Sequence, residues 1–185
     1  MDLGFRMHAE RTPNPNGIKW VLSRTVADVV ASASFAPGVR SAVSPLAAPI
    51  AAIEGVTGVL LGPNFVTVTK RDDADWTALA APIVAAIKQW ATSGEAAFGP
   101  EFVPPSSGDD DEVVARIRTI LERDVRPYVE QDGGEIRFAG FHDGIVEVVL
   151  QGACAGCPSS SVTLKLGIEA RLKQEIPEVR SVVAL

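Results

Sequence analysis

Cysteine and histidine are scarce in this chain of 185 residues. Each occurs twice, and both cysteines, Cys154 and Cys157, lie in the last quarter of the sequence. No run approaches the ~20 apolar residues that a membrane-spanning helix needs, and the first residues lack the apolar centre of a secretory signal. We therefore expect a cytoplasmic protein with no membrane partner. In a reducing compartment, two closely spaced cysteines more often bind metal or carry redox chemistry than form a structural disulfide.

An excess of basic residues is also absent. The 17 lysines and arginines are outnumbered by 23 aspartates and glutamates, which gives a formal net charge of −6. Nucleic-acid binding needs clustered basic groups that displace the counterions of the phosphates, so we expect no nucleic-acid partner. Aromatic residues make up only 6%, but hydrophobic residues reach 46%, which is enough aliphatic side chain for a buried core.

The segment 94–111 differs in composition from the rest of the chain. It reads GEAAFGPEFVPPSSGDDD, which combines glycine, proline, serine and an acidic run with little periodicity. Such a composition is typical of a flexible connector. We therefore predict an N-terminal domain over 1–93, a flexible linker over 94–111 and a small C-terminal domain over 112–185.

The N-terminal part has patterns of both strands and helices. Apolar runs bounded by turn residues predict strands, and apolar spacings of three and four predict an amphipathic helix. The predicted strands are 18–22, 56–61 and 65–70, and the predicted helices are 45–53 and a longer one over 76–90. Pro82 in the longer helix predicts a kink or a later start. The residues around His8 resemble a loose terminus, and 23–43 are ambiguous.

The C-terminal part has a clearer order. Apolar residues over 113–128 share one helical face, and Pro127 should end or bend that helix. Asp143-Gly144 is a strong hairpin signal. The remaining predicted elements are strands over 136–141 and 145–150, a helix whose apolar residues recur every four positions over 164–176, and a last strand over 179–185. The order α-β-β-α-β predicts a three-stranded sheet, so the fold class is α+β with two small domains, each a short sheet with helices packed on one face.

The chemistry of the chain is concentrated at Cys154-Ala155-Gly156-Cys157. Two thiols at this spacing can face one metal centre, and the small residues between them let the backbone curl. Pro158 suits the first position of a helix, which places Cys157 at the N-cap. The helix dipole and its unpaired N–H groups then favour the thiolate over the thiol.

The number of ligands limits what one chain can hold. A tetrahedral zinc site or a cubane iron–sulfur cluster takes four ligands, whereas this chain has two cysteines. His142 is predicted at the far end of the hairpin from Cys154, where it is a solvated turn residue. Two chains related by a two-fold axis would supply four thiolates, and such dimers are the commonest oligomers.

The spacing of the cysteines alone leaves three chemistries open. A dithiol–disulfide oxidoreductase is one, although such motifs usually place proline between the cysteines and here Pro158 follows them. A zinc-bridged adaptor is the second, and an iron–sulfur site is the third. A pair of chemically inert thiols is the remaining alternative.

Several stretches carry a family resemblance. Residues 113–185 resemble the C-terminal domain of NifU, also called Nfu, through IRTILERDVRPYVEQDGGEIRF, GACAGCPSSSVTLKLGIEARL and IPEVRSV. Residues 12–90 are similar to the N-terminal domain of Nfu scaffold proteins, through TPNPNGIKW, SPLAAPIAAIEGV and GPNFVTVTKRDDADW. The two matches follow the order of the family and cover most of the chain.

The resemblance implies a carrier rather than an enzyme. Nfu-type proteins hold a [4Fe–4S] cluster, typically between two subunits, and pass it to apo-proteins. The two cluster cysteines of the family correspond to Cys154 and Cys157. The implied partners are upstream cluster assembly proteins, apo iron–sulfur clients and, in the cluster-bound state, a second copy of this chain.

Overall fold

A computed structural model describes residues 4–27, 32–104, 112–155 and 158–185, with the backbone alone for 158–161. The chain divides into two compact units, Met1–Pro105 and Ser106–Leu185, called here the N-terminal and the C-terminal unit. Among the described residues, no helix combines the length and the apolar character needed to cross a membrane.

The N-terminal unit is built on a five-stranded antiparallel sheet. Its spatial order is β1-β2-β5-β4-β3, with β1 and β3 at the edges. The strands are β1 (Met7–Arg11), β2 (Gly17–Leu22), β3 (Ala33–Phe35), β4 (Val56–Leu61) and β5 (Phe65–Lys70). The sequence predicted the three central strands and missed both edges, where the exposed β1 lacks a buried apolar alternation and β3 has three residues.

Two helices cover one face of this sheet. They are α1 (Ala47–Ala51) and α2 (Trp76–Ser93), and both contribute to one apolar cluster with the strands. The later start that Pro82 suggested for α2 is wrong, because Asp75 caps the helix by accepting a hydrogen bond from the Thr77 backbone N–H at 2.9 Å. Trp20 on β2 meets Trp76 edge to face, with ring centroids 5.9 Å apart.

The first half of the predicted linker packs on the N-terminal unit. The Ser44 hydroxyl donates to the Ala97 carbonyl at 2.7 Å, and Ala97 is buried. Phe98 and Phe102 lie against each other, 4.3 Å between ring centroids, and both contact Phe35. Residues 97–102 therefore belong to this unit in the structure, and 105–111, the second half of the predicted linker, lie outside the described residues.

The C-terminal unit has a three-stranded sheet in the order β6-β7-β8. The antiparallel hairpin turns at Asp143 and Gly144, both with positive φ, as a two-residue hairpin turn requires. The parallel pairing of β7 and β8 requires a crossover, which α5 supplies. The elements are α3 (Glu112–Ile120), α4 (Arg126–Gln131), β6 (Gly134–His142), β7 (Ile145–Gly152), α5 (Pro158–Glu175) and β8 (Ser181–Ala184).

The sequence predicted that Pro127 ends or bends its helix, and the structure shows a change of helix type directly before it. A π-helical turn, Leu121–Val125, joins α3 to α4, so that helical structure continues past the proline. A proline inside a regular α-helix clashes with the carbonyl four residues earlier, and a wider turn accommodates it. The helices and α5 cover one face of the sheet in one apolar cluster. The predicted α+β class and the α-β-β-α-β order of this unit are confirmed.

Candidate metal centre

Cys154 lies in the connection between β7 and α5. β7 ends at Gly152, whose φ of 65° is favourable for glycine only, and α5 begins at Pro158. The Ala155 N–H donates to the Gly152 carbonyl at 3.1 Å and closes a turn around Cys154. Cys157, the second predicted ligand, lies outside the described residues.

The side chain of Cys154 faces the core. The residue is 6% exposed and belongs to the apolar cluster of the C-terminal unit. Its sulfur lies over Gly134 on the neighbouring strand, so closely that a Cβ atom at Gly134 would be 2.3 Å from Sγ. Sequence reasoning did not select Gly134 as a site residue, because a contact between distant parts of the chain leaves no signal in local spacing.

A buried ion pair lies at the same end of the sheet. Glu135 is fully buried and accepts a hydrogen bond from the Arg126 guanidinium at 2.6 Å. Burial opposes the charge of Arg126, but the carboxylates of Glu135, Glu122 and Glu130 outweigh it and raise the pKa of the guanidinium. Sequence reasoning missed this group, since both residues resemble ordinary surface charges in a mixed helix and strand.

The remaining candidate ligands lie elsewhere. His142 pairs with Ile145 at the turn of the hairpin, whereas Gly134 pairs with Gly152 at the other end, roughly 25 Å away for strands of this length. His8 lies on β1 beside Glu10 in the other unit. Among the residues that the structure describes, no three His, Cys, Asp or Glu side chains are grouped as a metal site. His142 is the exposed last residue of β6 and lies directly before the turn at Asp143-Gly144.

Two family models match the chain. One, described as NifU-like domain, covers residues 117–183, and the other, described as scaffold protein Nfu/NifU N terminal, covers 7–94. A relative in Homo sapiens, the mitochondrial NFU1 iron-sulfur cluster scaffold homolog, is 41% identical over 95% of this chain and 70% of its own length. The chain belongs to the Nfu/NifU-like family.

The chain is also similar to other proteins. NifU-like protein 4, mitochondrial, of Arabidopsis thaliana is 45% identical over 95% of this chain, which spans 64% of that protein. The chain thus spans about two thirds of the length of these relatives. A solution structure of a NifU-like protein from Saccharomyces cerevisiae aligns with 20% identity and a TM-score of 0.49, over 55% of this chain and 92% of its own.

The names of these relatives correct one prediction. The Arabidopsis and human proteins are named as mitochondrial. The prediction of a cytoplasmic location, which rested on the composition of the first residues, is therefore wrong. Composition at a terminus is a poor guide to compartment, because the segment that directs a protein is separate from the part that folds.

Proposed function

We propose that this chain is an iron–sulfur cluster scaffold and carrier, and not an enzyme. The observation that carries the proposal is the placement of Cys154 at a tight strand-to-helix connection, inside the segment matched by the NifU-like domain. Thiolates are the usual protein ligands of iron–sulfur clusters. The relatives in Homo sapiens and Drosophila carry the words iron-sulfur cluster scaffold in their names.

The cluster we propose is a [4Fe–4S] cluster shared by two copies of the chain. It takes four ligands, and each copy supplies two, Cys154 and Cys157. A two-fold axis through the cluster brings the same surface of both copies together. Surfaces that meet in this way must avoid placing like charges opposite each other, which matters for a chain with a net charge of −6.

One side of α5 meets this requirement. Val162 and Leu166 are 62% and 60% exposed, and the residues exposed beside them on the same side are Thr163, Gly167 and Ala170. None of the five is charged, and they follow the cysteine motif within about three turns of helix. We assign this side of α5, called the α5 face, to contact with the second copy.

Sharing the ligands between two copies provides a route for release. A client thiol gives up its proton and binds iron, and the displaced thiolate of Cys154 or Cys157 takes up a proton. No electron is transferred, and the exchange can proceed one ligand at a time as the two copies separate. Delivery is then favoured when the client holds all its ligands in one chain. Upstream assembly proteins load the scaffold by the reverse exchange.

The metal content of the purified chain tests the proposal. After anaerobic reconstitution, we expect about four iron and four sulfide per two chains, with a dimeric native mass. Cys154→Ala and Cys157→Ala should each abolish iron retention, whereas Val103→Ala, at an 82% exposed position in the other unit, should retain it. Zinc between two chains would favour the adaptor, and a metal-free monomer with an intrachain disulfide would favour the oxidoreductase; either result contradicts the proposal.

We assign the N-terminal unit to partner recognition. Its described residues contain no cysteine, and its histidine lies in an exposed strand. Deleting residues 1–104, and not only the predicted domain 1–93, removes the packed segment around Phe98 together with its unit. The shortened chain should still bind cluster but deliver it poorly to an apo-client. Loss of cluster binding on deletion contradicts this division of roles.

A further inference from the structure

Gly134 opens strand β6, and its backbone does not need a glycine. Its φ is not among the positive values, unlike those of its neighbours Gly133 at 74° and Gly152 at 65°. A glycine in a strand loses conformational entropy and packs no side chain. In strands, glycine commonly marks a place where another group approaches the backbone closely, so the reason for glycine here is space.

The sulfur of Cys154 occupies that space. A Cβ atom built on Gly134 would be 2.3 Å from Cys154 Sγ, 3.0 Å from Cys154 Cβ and 3.1 Å from Val129 Cγ1. All three atoms belong to buried residues of the apolar cluster in the C-terminal unit. Contacts as short as the first one do not occur between real atoms, so any side chain at Gly134 displaces the sulfur.

The backbone that carries Cys154 is held in place from both sides. The Ala153 N–H donates to the Gly133 carbonyl at 3.1 Å, and Gly152 pairs directly with Gly134 across the hairpin. The turn at Cys154 is closed by the bond from Ala155 to Gly152. With the main chain fixed by these bonds, a displaced sulfur has to turn away from the core by rotation about its own side-chain bond.

We propose that Gly134 is a positioning residue for Cys154. The missing side chain of Gly134 creates the space in which the thiol of the cluster-free chain lies, shielded from water, and this thiol turns outward when it binds cluster. The proposal rests on the proposed function only for the role of Cys154 as a ligand. The contact between the two residues can be tested without any metal.

Alkylation of the thiol measures its position. In the Cys157→Ser background, Cys154 of the metal-free chain should react with iodoacetamide far more slowly than in urea-unfolded chain, because its side chain is buried. Adding Gly134→Ala should raise the rate several-fold under native conditions. That rate should stay constant at low urea concentrations, since it reports local exposure and not global unfolding.

Two controls separate positioning from loss of stability. Gly167→Ala also adds a methyl group, but a Cβ atom there meets nothing within 4 Å, so its alkylation rate should equal that of the parent. Ile117→Val loosens the same core from helix α3, and its alkylation rate should rise only with urea. A Gly134→Ala rate that equals the parent rate, or that follows global unfolding, overturns the proposal.

A double-mutant cycle tests the direct contact. Gly134→Ala should lower the melting temperature of the C-terminal unit, and most of this loss should disappear when Cys154→Ala removes the sulfur. An equal loss in both backgrounds overturns the proposal. Iron content after reconstitution separates the two hypotheses: a parent chain that binds no iron rejects the proposed function, while the alkylation and melting results still decide the role of Gly134.

Discussion

The two units are stabilised by different kinds of contact. The N-terminal unit packs aromatic rings, with Trp20 against Trp76 and three phenylalanines, Phe35, Phe98 and Phe102, in mutual contact. The core of the C-terminal unit is largely aliphatic, and its helices and strands are joined by arginines. Arg126 binds carboxylates on the π-helical turn, on α4 and on β6, namely Glu122, Glu130 and Glu135.

This difference bears on the position of the cysteine. The hydrophobic contribution of this packing tolerates small shifts, since it is non-directional and depends mainly on buried area. A guanidinium held by several carboxylates fixes its partners in direction as well as distance. The C-terminal unit therefore holds the strand that begins at Gly134 by directional contacts next to Cys154. We expect it to respond sharply to the loss of single charges, and the N-terminal unit to respond to the loss of ring volume.

The largest loss of stability should come from Arg126→Ala, in the C-terminal unit. Glu135 is fully buried, and removal of its partner leaves an uncompensated charge, which costs about 3–5 kcal/mol in such pairs. Hydrogen exchange of the C-terminal unit measures this loss, while tryptophan fluorescence reports only the N-terminal unit, which contains Trp20, Trp76 and Trp90. Fluorescence-detected unfolding should stay unchanged.

Two variants sharpen this result. Arg40→Ala breaks an ion pair with Glu101 in the N-terminal unit, where both side chains are exposed, and should cost less than about 1 kcal/mol. Arg126→Met combined with Glu135→Leu removes both charges and should recover most of the stability. If the double variant is as unstable as Arg126→Ala, the cost arises from lost packing and not from the buried carboxylate.

Phe98→Ala should produce the next largest effect, in the other unit. Phe98 is half-buried against Phe35 and Phe102, so we expect a loss of about 1–3 kcal/mol, below that of a fully buried phenylalanine. Urea unfolding followed by tryptophan fluorescence measures it. Glu95→Ala, at an exposed position three residues earlier, is the control. Equal stability of the two variants would mean that residues 97–102 behave as the flexible linker that the sequence predicts.

Leu166→Lys should weaken the cluster-bound dimer. It places a positive charge on the α5 face of each copy, and the two charges approach each other across the axis. We expect the dissociation constant to rise at least about tenfold, equivalent to ~1.4 kcal/mol, as measured by native mass at falling concentration. Val103→Lys introduces the same charge at an exposed position in the other unit and should leave the dimer intact. A dimer unaffected by Leu166→Lys would place the contact on another surface.

Sequence patterns predicted the elements whose apolar residues are periodic. The strands β4 and β5, the helices α2 and α5 and the turn at Asp143-Gly144 were placed closely. β1 was missed because this edge strand is mostly exposed and its apolar face holds only Met7 and Ala9. The packing of Phe98 was missed because glycine and proline around it dominate the local composition.

The site was predicted in part, for a related reason. Cys154 is visible in the sequence because cysteine is rare, and the chemistry of thiols narrows its role. Gly134 lies against Cys154, and Arg126 pairs with Glu135 on the same strand as Gly134. These residues are brought together by the fold, and no local sequence pattern indicates such contacts. Gly133 likewise has a positive φ, and its carbonyl accepts from the Ala153 N–H, a bond between distant parts of the chain.

The smallest loss of stability should come from Asp124→Asn, and this loss should depend on pH. Asp124 accepts hydrogen bonds from Arg123 at 2.7 Å and from Arg171 at 2.8 Å. The bonds from Arg123, followed by those from Arg171, lower the pKa of this carboxyl to about 2. The folded state therefore favours the ionised form more strongly than the unfolded chain, whose aspartates titrate near ~3.9.

Because its pKa is lowered, Asp124 contributes fully to the stability of the folded state at pH values above ~4, the pKa range of aspartate in the unfolded chain. This contribution is lost as the pH falls through about 2. The difference in stability between the parent and Asp124→Asn should thus be constant from neutral pH to about 5 and shrink below it. Hydrogen exchange of the C-terminal unit, calibrated at each pH, measures this difference. Asp73→Asn breaks an exposed pair with Arg71 in the N-terminal unit and should have little effect throughout. A difference that does not change with pH would mean that Asp124 contributes through its packing and not through its arginines, and the contrast between the two units would then rest on Arg126 alone.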